Sequence, residues 1–378
     1  MSRVLHVIPA LWSGAGKVVT RLCTDQRRYH DVAIVTSDRP GDDADWASYR
    51  STLHAHDVAQ HTVDFLSRDP EVFRASVQSL SALIEHWNPT VVHAHAGVPT
   101  AGVSQARACL DKPFRFIAHC YSWRPDRPVW MNRMDLEAFA RADAVVCSAH
   151  AYERKLVEGG VDRRRVVYLP WGLFLDEVDQ ARPRVSHVPS TIVGCLGRLE
   201  PRKGQLELCH ALAECRRDDS SVVLELVGPV GDLDYARRVE RHVADGGLHE
   251  TVWLRGQVDQ PLDYVAAWDL AVSMSTDEGQ GLAVLEAMAL GVPVLARSSA
   301  GVEDFLRDGR NGFVLDAHAS PTTVAEAIGG ILATPERKAA VAREARRFVH
   351  ERYDWRETTS RIDELYSGAP LVSQQRVA

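Results

Sequence analysis

The sequence contains no run of about eighteen apolar residues, so it predicts no transmembrane helix. It also lacks an excess of basic residues: the net charge of −7 argues against a dedicated nucleic-acid-binding protein. Its seven cysteines form no C-x-x-C pair and no zinc-finger spacing, which favours reduced thiols and a cytoplasmic location. The first apolar segment is too short and too soon interrupted for a signal peptide and predicts a strand instead.

What the sequence does contain is an alternation of short apolar strands with helical patterns along its 378 residues. That alternation is typical of doubly wound parallel sheets. Residues 173–190 have no clear periodicity and include two prolines, which indicates a linker. We therefore predict an N-terminal Rossmann-like domain over 1–180, a C-terminal Rossmann-like domain over 181–366, and a flexible tail over 367–378.

The most informative stretch runs from Ser273 to Pro293. It predicts a strand, a polar turn, and an apolar helix that begins near Leu282 and ends at Gly291. The one charged residue of this helix is Glu286, and Glu278 lies eight positions earlier in the turn. A carboxylate on a buried helix requires hydrogen-bond donors, which sugar or ribose hydroxyls supply. The helix start supplies backbone N–H groups and the positive end of the helix dipole, which favour an anion.

A second polar turn follows the predicted strand Thr191–Leu196. It carries Arg198 and Lys203 at the carboxyl end of a parallel strand, where ligands bind in such sheets. Arginine forks onto two phosphate oxygens and lysine supplies a point charge, so the pair suits a diphosphate. Arg202, between them, is predicted to be a solvated surface cation.

These segments resemble the retaining glycosyltransferases of family 4. The common form of the family's E-x7-E motif is E-G-F-G-L-x-x-x-E-A-M-A-x-G-x-P, and here it reads E-G-Q-G-L-A-V-L-E-A-M-A-L-G-V-P from Glu278. The turn from Gly197 to Gly204 is similar to the family's G-R-L-x-x-x-K-G. Residues 300–304 and 308–313 resemble two further family segments, and the resemblance is strongest over 191–315.

The resemblance implies a GT-B architecture, two Rossmann-like domains facing a cleft, and transfer of a sugar from a nucleotide-diphosphate sugar, UDP-linked by expectation, with retention. The acceptor implied is a hydroxyl of a small glycoside, natural product or glycan. Arg198 and Lys203 would bind the diphosphate with the N–H groups of Gly281 and Leu282, while Glu286 would hold the ribose and Glu278 the sugar near the reacting carbon. Gln280 belongs to the same donor-binding turn. Glu278, Arg198, Lys203 and His119 are the expected catalytic residues.

A glycine-bearing turn is predicted at residues 12–17, and Gly14 in it resembles the family's N-terminal glycine loop and is assigned to donor binding. The turn fails as a Walker A loop, because Leu11 and Val18 stand where that motif needs glycine and serine or threonine. A dinucleotide fingerprint lacks its third glycine, since Val19 is there, but Asp38 occupies the place of a ribose-binding acid. A NAD-dependent oxidoreductase therefore stays open as an alternative, as does a non-catalytic nucleotide- or glycan-binding protein of the same fold.

Histidines are frequent in the first half of the chain. His119 ends a predicted strand and is expected either to contact the sugar or acceptor or to be structural. His93 and His95, in V-V-H-A-H-A, are predicted to be internal hydrogen-bonding groups. Trp171 replaces the asparagine of the family's P-N-G segment.

No metal and no cofactor are expected for transfer. Asp232 and Asp234 precede a predicted helix, and helix capping explains their position. Asp43 and Asp45 lie in a predicted polar loop.

Residues 1–180 carry 21 basic and 22 acidic side chains and the remainder 23 and 29, so neither half is basic. We predict a soluble acceptor, no nucleic-acid partner and no stable membrane insertion. Residues 123–134, where aromatic and methionine side chains alternate with arginines, oppose that prediction as a small interfacial patch or part of the acceptor side. The oligomeric state is left open.

Overall fold

The computed structural model describes residues 1–38, 44–67, 69–121, 128–184, 190–215 and 221–369. The chain falls into two compact units. The first comprises residues 1–171 together with the described residues from Arg356 onward, and the second comprises Gly172–Trp355. Each unit contains one parallel sheet with helices packed against it, which confirms the predicted α/β class.

The sheet of the first unit has seven strands in the order β3-β2-β1-β4-β5-β6-β7, and every pair is parallel. Its strands are β1 (Arg3–Val7), β2 (Asp31–Thr36), β3 (Ala59–Thr62), β4 (Val91–His95), β5 (Arg115–Cys120), β6 (Ala144–Cys147) and β7 (Val166–Tyr168). The helices between them are α1 (Ser13–Gln26), α2 (Ala44–Ala55), α3 (Pro70–Trp87), α4 (Gly97–Cys109), α5 (Val129–Phe139) and α6 (His150–Glu158).

The sheet of the second unit has six parallel strands in the order β10-β9-β8-β11-β12-β13. Its strands are β8 (Thr191–Leu196), β9 (Val222–Val227), β10 (Val252–Gly256), β11 (Leu270–Ser273), β12 (Val294–Arg297) and β13 (Phe313–Leu315). Its helices are α7 (Leu175–Gln180), α8 (Gln205–Cys215), α9 (Leu233–Asp245), α10 (Pro261–Val265), α11 (Leu282–Ala289), α12 (Pro321–Leu332) and α13 (Pro335–Arg352), and α14 (Trp355–Ser367) follows.

Strand composition explains why both faces of the second sheet are covered. Adjacent strand residues belong to different apolar cores, with Val193 and Leu224 in one core and Ile192 and Val223 in the other. Because neighbouring residues of a strand point to opposite faces, a continuous apolar run buries both faces. In a sheet that is covered on both faces, ligands bind at the ends of the strands.

Each sheet has a topological switch point, where the order of the strands changes direction. It lies between β1 and β4 in the first sheet and between β8 and β11 in the second. A crevice forms outside the carboxyl ends of such a pair of strands. No helix among the described residues is both long and apolar enough to cross a membrane.

The structure corrects the predicted first turn. Helix α1 begins at Ser13, so the glycines predicted to form a turn at residues 12–17 lie inside its first turn. Gly16 is needed for close packing, since a Cβ there would lie 2.8 Å from the carbonyl carbon of Leu11. The predicted polar loop 38–47 also ends early, at Ala44, and residues 39–43 lie outside the described part of the chain.

The two compact units divide the chain at other places than the predicted boundaries at 180 and 366. Helix α14, expected in the second domain, packs within the first unit, where the Tyr366 hydroxyl lies 2.7 Å from Nδ1 of His93. The two ends of the second unit lie side by side: near its start, the Leu173 N–H donates to the carbonyl of Tyr353, near its end, at 2.7 Å. Gly172 permits this pairing, because a Cβ there would lie 2.5 Å from the backbone of Asp354 and Trp355.

Candidate functional site

Two polar loops of the second unit lie at the carboxyl edge of its sheet. Residues 197–204 follow β8 and residues 274–281 follow β11, and these strands are direct neighbours, with Leu270 beside Val193. The Thr276 N–H donates to the Arg202 carbonyl at 2.9 Å, so the loops are hydrogen-bonded to each other. Gly204, at φ +67°, allows this approach, since a Cβ there would lie 2.7 Å from Cβ of Met274. The two segments singled out in the sequence therefore form one surface.

An ion pair joins the two loops. Nζ of Lys203 donates to Oε1 of Glu278 at 2.5 Å, and only 14% and 13% of the two side chains are exposed. Burial alone would raise the pKa of Glu278, but the charge and hydrogen bond of Lys203, a hydrogen bond from Ser275 and the charge of Arg202 together lower it below the ordinary value. The Glu278 carboxyl is therefore ionised at neutral pH.

The arginines of the first loop share one carboxylate. Glu200 accepts from Arg198 at 3.2 Å and from Arg202 at 2.6 Å. Arg202 also donates to the Asp277 carbonyl at 3.1 Å, so it is not the solvated cation that the sequence predicted. Its role in tying the loops together was not visible in the sequence, because the partner carbonyl lies 75 positions away. Arg198 remains one-third exposed at the edge of the sheet, where it can meet a ligand.

Helix α11 begins directly after the second loop. Gly281 is its N-cap, in the left-handed conformation at φ +83°, with no side-chain cap and no acidic residue in the first helical turn. The positive end of the helix dipole therefore carries no counter-charge of its own, which suits an anionic ligand near Gly281 and Leu282. The N–H of Gly301 donates to the Glu278 carbonyl at 2.9 Å and fixes the loop from behind.

The remaining predicted donor residues lie on the same loop and helix. Gln280 is buried, and Glu286 is half-buried on α11, whose other faces pack into the core through Leu285, Ala287 and Met288. The structure thus brings together seven of the predicted residues within the second unit: Arg198, Lys203, Glu278, Gln280, Gly281, Leu282 and Glu286. Gly14 and His119 belong to the first unit.

Gly14 is exposed in the first turn of α1. His119 is fully buried in β5, its ring lying 4.4 Å from that of Tyr121 and 4.6 Å from that of Trp171. Burial lowers the pKa of His119 to about 3, so its imidazole is neutral. Contact between His119 and a sugar would require these rings to move, and the Trp171 that departs from the family pattern is one of the two covering rings.

The structure describes one of the two Asp–x–Asp pairs, Asp232 and Asp234. Asp232 is the N-cap of α9 and accepts from the Tyr235 N–H at 2.8 Å, as capping predicted. Asp234 is exposed and pairs with Arg237. Asp43 and the side chain of Asp45 lie outside the described part of the chain.

A separate groove of about 830 Å³ lies at the amino ends of strands β8 and β11 of the second sheet. Thr191 at the start of β8, Asp269 before β11 and Lys338 of α13 line it. Because ligands of such sheets bind at the carboxyl ends of the strands, this groove is unrelated to the paired loops.

Two family sequence models match the chain. The one described as Glycosyl transferases group 1 matches residues 190–334, and the one described as Glycosyltransferase Family 4 matches residues 12–177. The first match includes both polar loops and helix α11.

Two curated relatives illustrate the range of similar proteins. A D-inositol 3-phosphate glycosyltransferase from Geodermatophilus obscurus is 30% identical over 321 residues, which cover 79% of this chain and 70% of the relative. A GDP-mannose-dependent alpha-(1-6)-phosphatidylinositol monomannoside mannosyltransferase from Mycolicibacterium smegmatis is 36% identical over 186 residues, 47% of this chain. The match spans 48% of the length of that mannosyltransferase.

Solved structures share the fold over nearly the whole chain. HepE from Anabaena in complex with UDP-glucose superposes with a TM-score of 0.82 at 20% identity, covering 97% of this chain and 100% of that chain. Sucrose-phosphate synthase from Thermosynechococcus elongatus gives 0.80 at 20% identity, covering 97% and 98%.

Proposed function

The chain belongs to the family 4 glycosyltransferases of GT-B fold, and we propose that it transfers a sugar from a nucleoside-diphosphate donor to an acceptor hydroxyl with retention of anomeric configuration. The observation that carries this proposal is the partly buried Lys203–Glu278 pair at the carboxyl ends of the strands of the second sheet. It lies on hydrogen-bonded loops that also present Arg198 and the uncapped start of α11.

The donor diphosphate would bind across the two loops. Arg198 and Lys203 supply positive charge from one loop, and the backbone N–H groups of Gly281 and Leu282 supply donors from the other. As the sugar–oxygen bond breaks, negative charge develops on the leaving diphosphate, and fixed cations in a partly buried site stabilise that charge. Glu286, on the following helix, would accept hydrogen bonds from the ribose hydroxyls.

Glu278 would position the sugar rather than attack it. Its carboxylate already accepts hydrogen bonds from Lys203 and Ser275, which makes it a weak nucleophile. This favours reaction on a single face of the sugar, where the acceptor hydroxyl approaches beside the departing diphosphate, over a double displacement through a glycosyl-enzyme. The proton of the acceptor hydroxyl would then pass to a diphosphate oxygen.

For the donor we propose a UDP-linked hexose, with GDP-mannose as the competing candidate because a similar mannosyltransferase is GDP-mannose-dependent. For the acceptor we propose a small hydroxyl-bearing molecule such as a glycoside, natural product or polyol. The relative covered to 70% is named for D-inositol 3-phosphate, a small polar acceptor, which supports this choice.

The test is incubation of the protein with a panel of UDP- and GDP-linked sugars, first alone to detect slow hydrolysis and then with small polyol acceptors. Proton NMR of the product reports the anomeric configuration. Release of nucleotide from one donor, lost in Lys203→Ala and kept in Arg237→Ala, would support the assignment. A product of inverted configuration would refute retention, and absence of turnover with every donor despite tight nucleotide binding would favour a non-catalytic binding protein.

A further inference from the structure

Four histidines lie on one face of the first sheet. His6 is on β1, His93 and His95 are on β4, and His119 is on β5. His6 lies beside His93 in the register, and His95 lies beside His119. Since residues side by side in a parallel sheet point to the same face, the four rings form a continuous cluster inside the unit. All four residues are 0% exposed.

A directed chain of hydrogen bonds fixes two of these rings. The Gln26 amide donates to Asp363 at 2.8 Å, so its oxygen must accept from Nε2 of His6 at 2.9 Å. Nδ1 of neutral His6 therefore accepts, and the group 3.0 Å away, Nε2 of His95, carries the proton. Nδ1 of His95 in turn accepts from the Tyr121 hydroxyl at 2.8 Å.

His93 is only half satisfied. Its Nδ1 lies 2.7 Å from the Tyr366 hydroxyl, but its Nε2 is buried and has no hydrogen-bond partner among the described residues. One ring nitrogen from each of His6, His93 and His95 lies within 4.8 Å of the others. Buried polar atoms normally have a hydrogen-bond partner, so this nitrogen requires an explanation, and a bound ion is one.

The chemistry of the three rings suits a metal ion. Burial lowers the pKa of His6 to about 4 and those of His93 and His95 well below their ordinary value, so the rings are neutral, the form that coordinates a metal. Each ring also has an oxygen at its other nitrogen: the amide of Gln26, and the hydroxyls of Tyr366 and Tyr121. Such outer partners orient metal-bound histidines and fix their tautomers.

We propose that Nδ1 of His6, Nε2 of His93 and Nε2 of His95 bind one divalent first-row transition ion, with Zn²⁺ as the representative. Imidazole nitrogens are preferred ligands of such ions, and Zn–N bonds of about 2.0–2.1 Å in tetrahedral geometry place ligand nitrogens roughly 3.3 Å apart. The His6–His95 separation of 3.0 Å is already near that value, so His93 makes the main adjustment.

Binding moves one proton within the cluster. Nε2 of His95 gives up its proton to coordinate the ion, and Nδ1 of His95 takes a proton and donates to Tyr121, whose hydroxyl reverses. The net charge of the three imidazoles stays zero, and the ion adds two positive charges that Asp363, reached through Gln26, partly offsets. The site is distinct from the paired loops, which belong to the second unit.

The test uses full-length protein, with any affinity tag removed, expressed in zinc-supplemented medium and exchanged into buffer containing EDTA and then into metal-free buffer. Mass spectrometry of the elements then gives the zinc content. We expect about one zinc per chain, retained in His210→Asn/His242→Asn and lost in His93→Gln. The control pair suits this purpose because its rings lie 4.0 Å apart in the second unit, where His210 is exposed. Zinc content in the wild type near zero, or unchanged in His93→Gln, would overturn the proposal.

A second measurement covers the case in which His93→Gln does not fold. Nitrogen-15 NMR of histidine-labelled wild type reports the tautomer of each ring. Before zinc addition His95 should be protonated at Nε2, and after addition of zinc to denatured protein followed by refolding it should be protonated at Nδ1. The same tautomer in both states would refute coordination by His95.

Discussion

Lys203 and Glu278 form one partly buried ion pair between the two loops, with 2.5 Å between Nζ and Oε1. Removing one partner leaves the other charged and buried, which typically costs about 3–5 kcal/mol when the pair is fully buried and less at 13–14% exposure. Variants at these positions therefore change stability and chemistry together. The thermal midpoint must be measured beside the rate in each case.

The cations of the first loop should matter for rate more than for donor affinity. Alanine at Arg198 or at Lys203 should lower kcat roughly 10²-fold or more, because in the proposed mechanism these groups would act on charge formed in the transition state. Steady-state kinetics with saturating donor measure this. The matched control is Arg237→Ala, which removes an exposed cation that pairs with Asp234 at 3.6 Å. Turnover within a few-fold of wild type would remove these cations from the mechanism.

The two glutamates should have separate effects. Glu286→Gln should weaken nucleotide affinity, because the amide is a poorer acceptor for ribose hydroxyls. Glu278→Gln should spare nucleotide affinity and depress transfer, with Lys203 freed from its partner. Calorimetric titration with the nucleoside diphosphate and a transfer assay separate the two effects. Equal loss of nucleotide binding in both variants contradicts the assignment.

Transfer should not depend on an exchangeable metal. A short incubation with EDTA should leave the rate almost unchanged, since in the proposed mechanism side-chain cations would neutralise the diphosphate. A zinc ion in the histidine cluster would be too deeply buried to exchange in that time. Complete loss of transfer with EDTA, restored by Mn²⁺ or Mg²⁺, would mean that a metal carries the diphosphate.

The first unit should be sensitive to mild acid. Its buried histidines have lowered pKa values, about 4 for His6 and about 3 for His119, against an ordinary 6.5. The unfolded chain therefore binds more protons below pH 6.5, and stability falls as the pH drops from 6.5 toward 4. At pH 5.5 each such histidine lowers the free energy of unfolding by about 1.4 kcal/mol. Urea unfolding at pH 7.5, 6.5 and 5.5 measures this, and a free energy that is flat below pH 6.5 contradicts it.

Anionic membranes should not retain the protein. Residues 1–180 carry a net charge of −1, so they gain little from anionic lipid. The opposing feature is the patch at residues 123–134, of which 123–127 lie outside the described part. At the start of α5, Val129 and Trp130 of this patch are 85% and 63% exposed. Sedimentation with anionic vesicles at physiological salt decides the matter. Substantial co-pelleting that disappears in Trp130→Ala would favour a lipid acceptor.

The sequence predicted the second unit well because its strands are continuous apolar runs. The bounds of β8 match the predicted strand Thr191–Leu196, and α11 begins at the predicted Leu282. Strand β3 was missed because its residues, A-Q-H-T, include no apolar run and are largely exposed. Its position at the sheet edge explains why it needs none.

Contacts between distant segments set the limit of prediction for the site. The alternation in V-V-H-A-H-A places His93 and His95 on one face, and both are buried and hydrogen-bonded as expected. That His6 joins them depends on the strand order, which no local pattern encodes. The ion pair of Lys203 with Glu278 likewise spans 75 positions, so only the neighbouring places of β8 and β11 reveal it.

The return of α14 to the first unit has a consequence for synthesis on the ribosome. Asp363 and Tyr366, which complete the hydrogen bonds of Gln26 and His93, are translated only after the whole of Gly172–Trp355. Domains generally fold in the order in which they are synthesised. Here the N-terminal sheet must wait for a late segment, whereas the second unit, Gly172–Trp355, is contiguous and can finish first. A nascent chain stalled before residue 355 should therefore hold a folded second unit beside an unfinished first one.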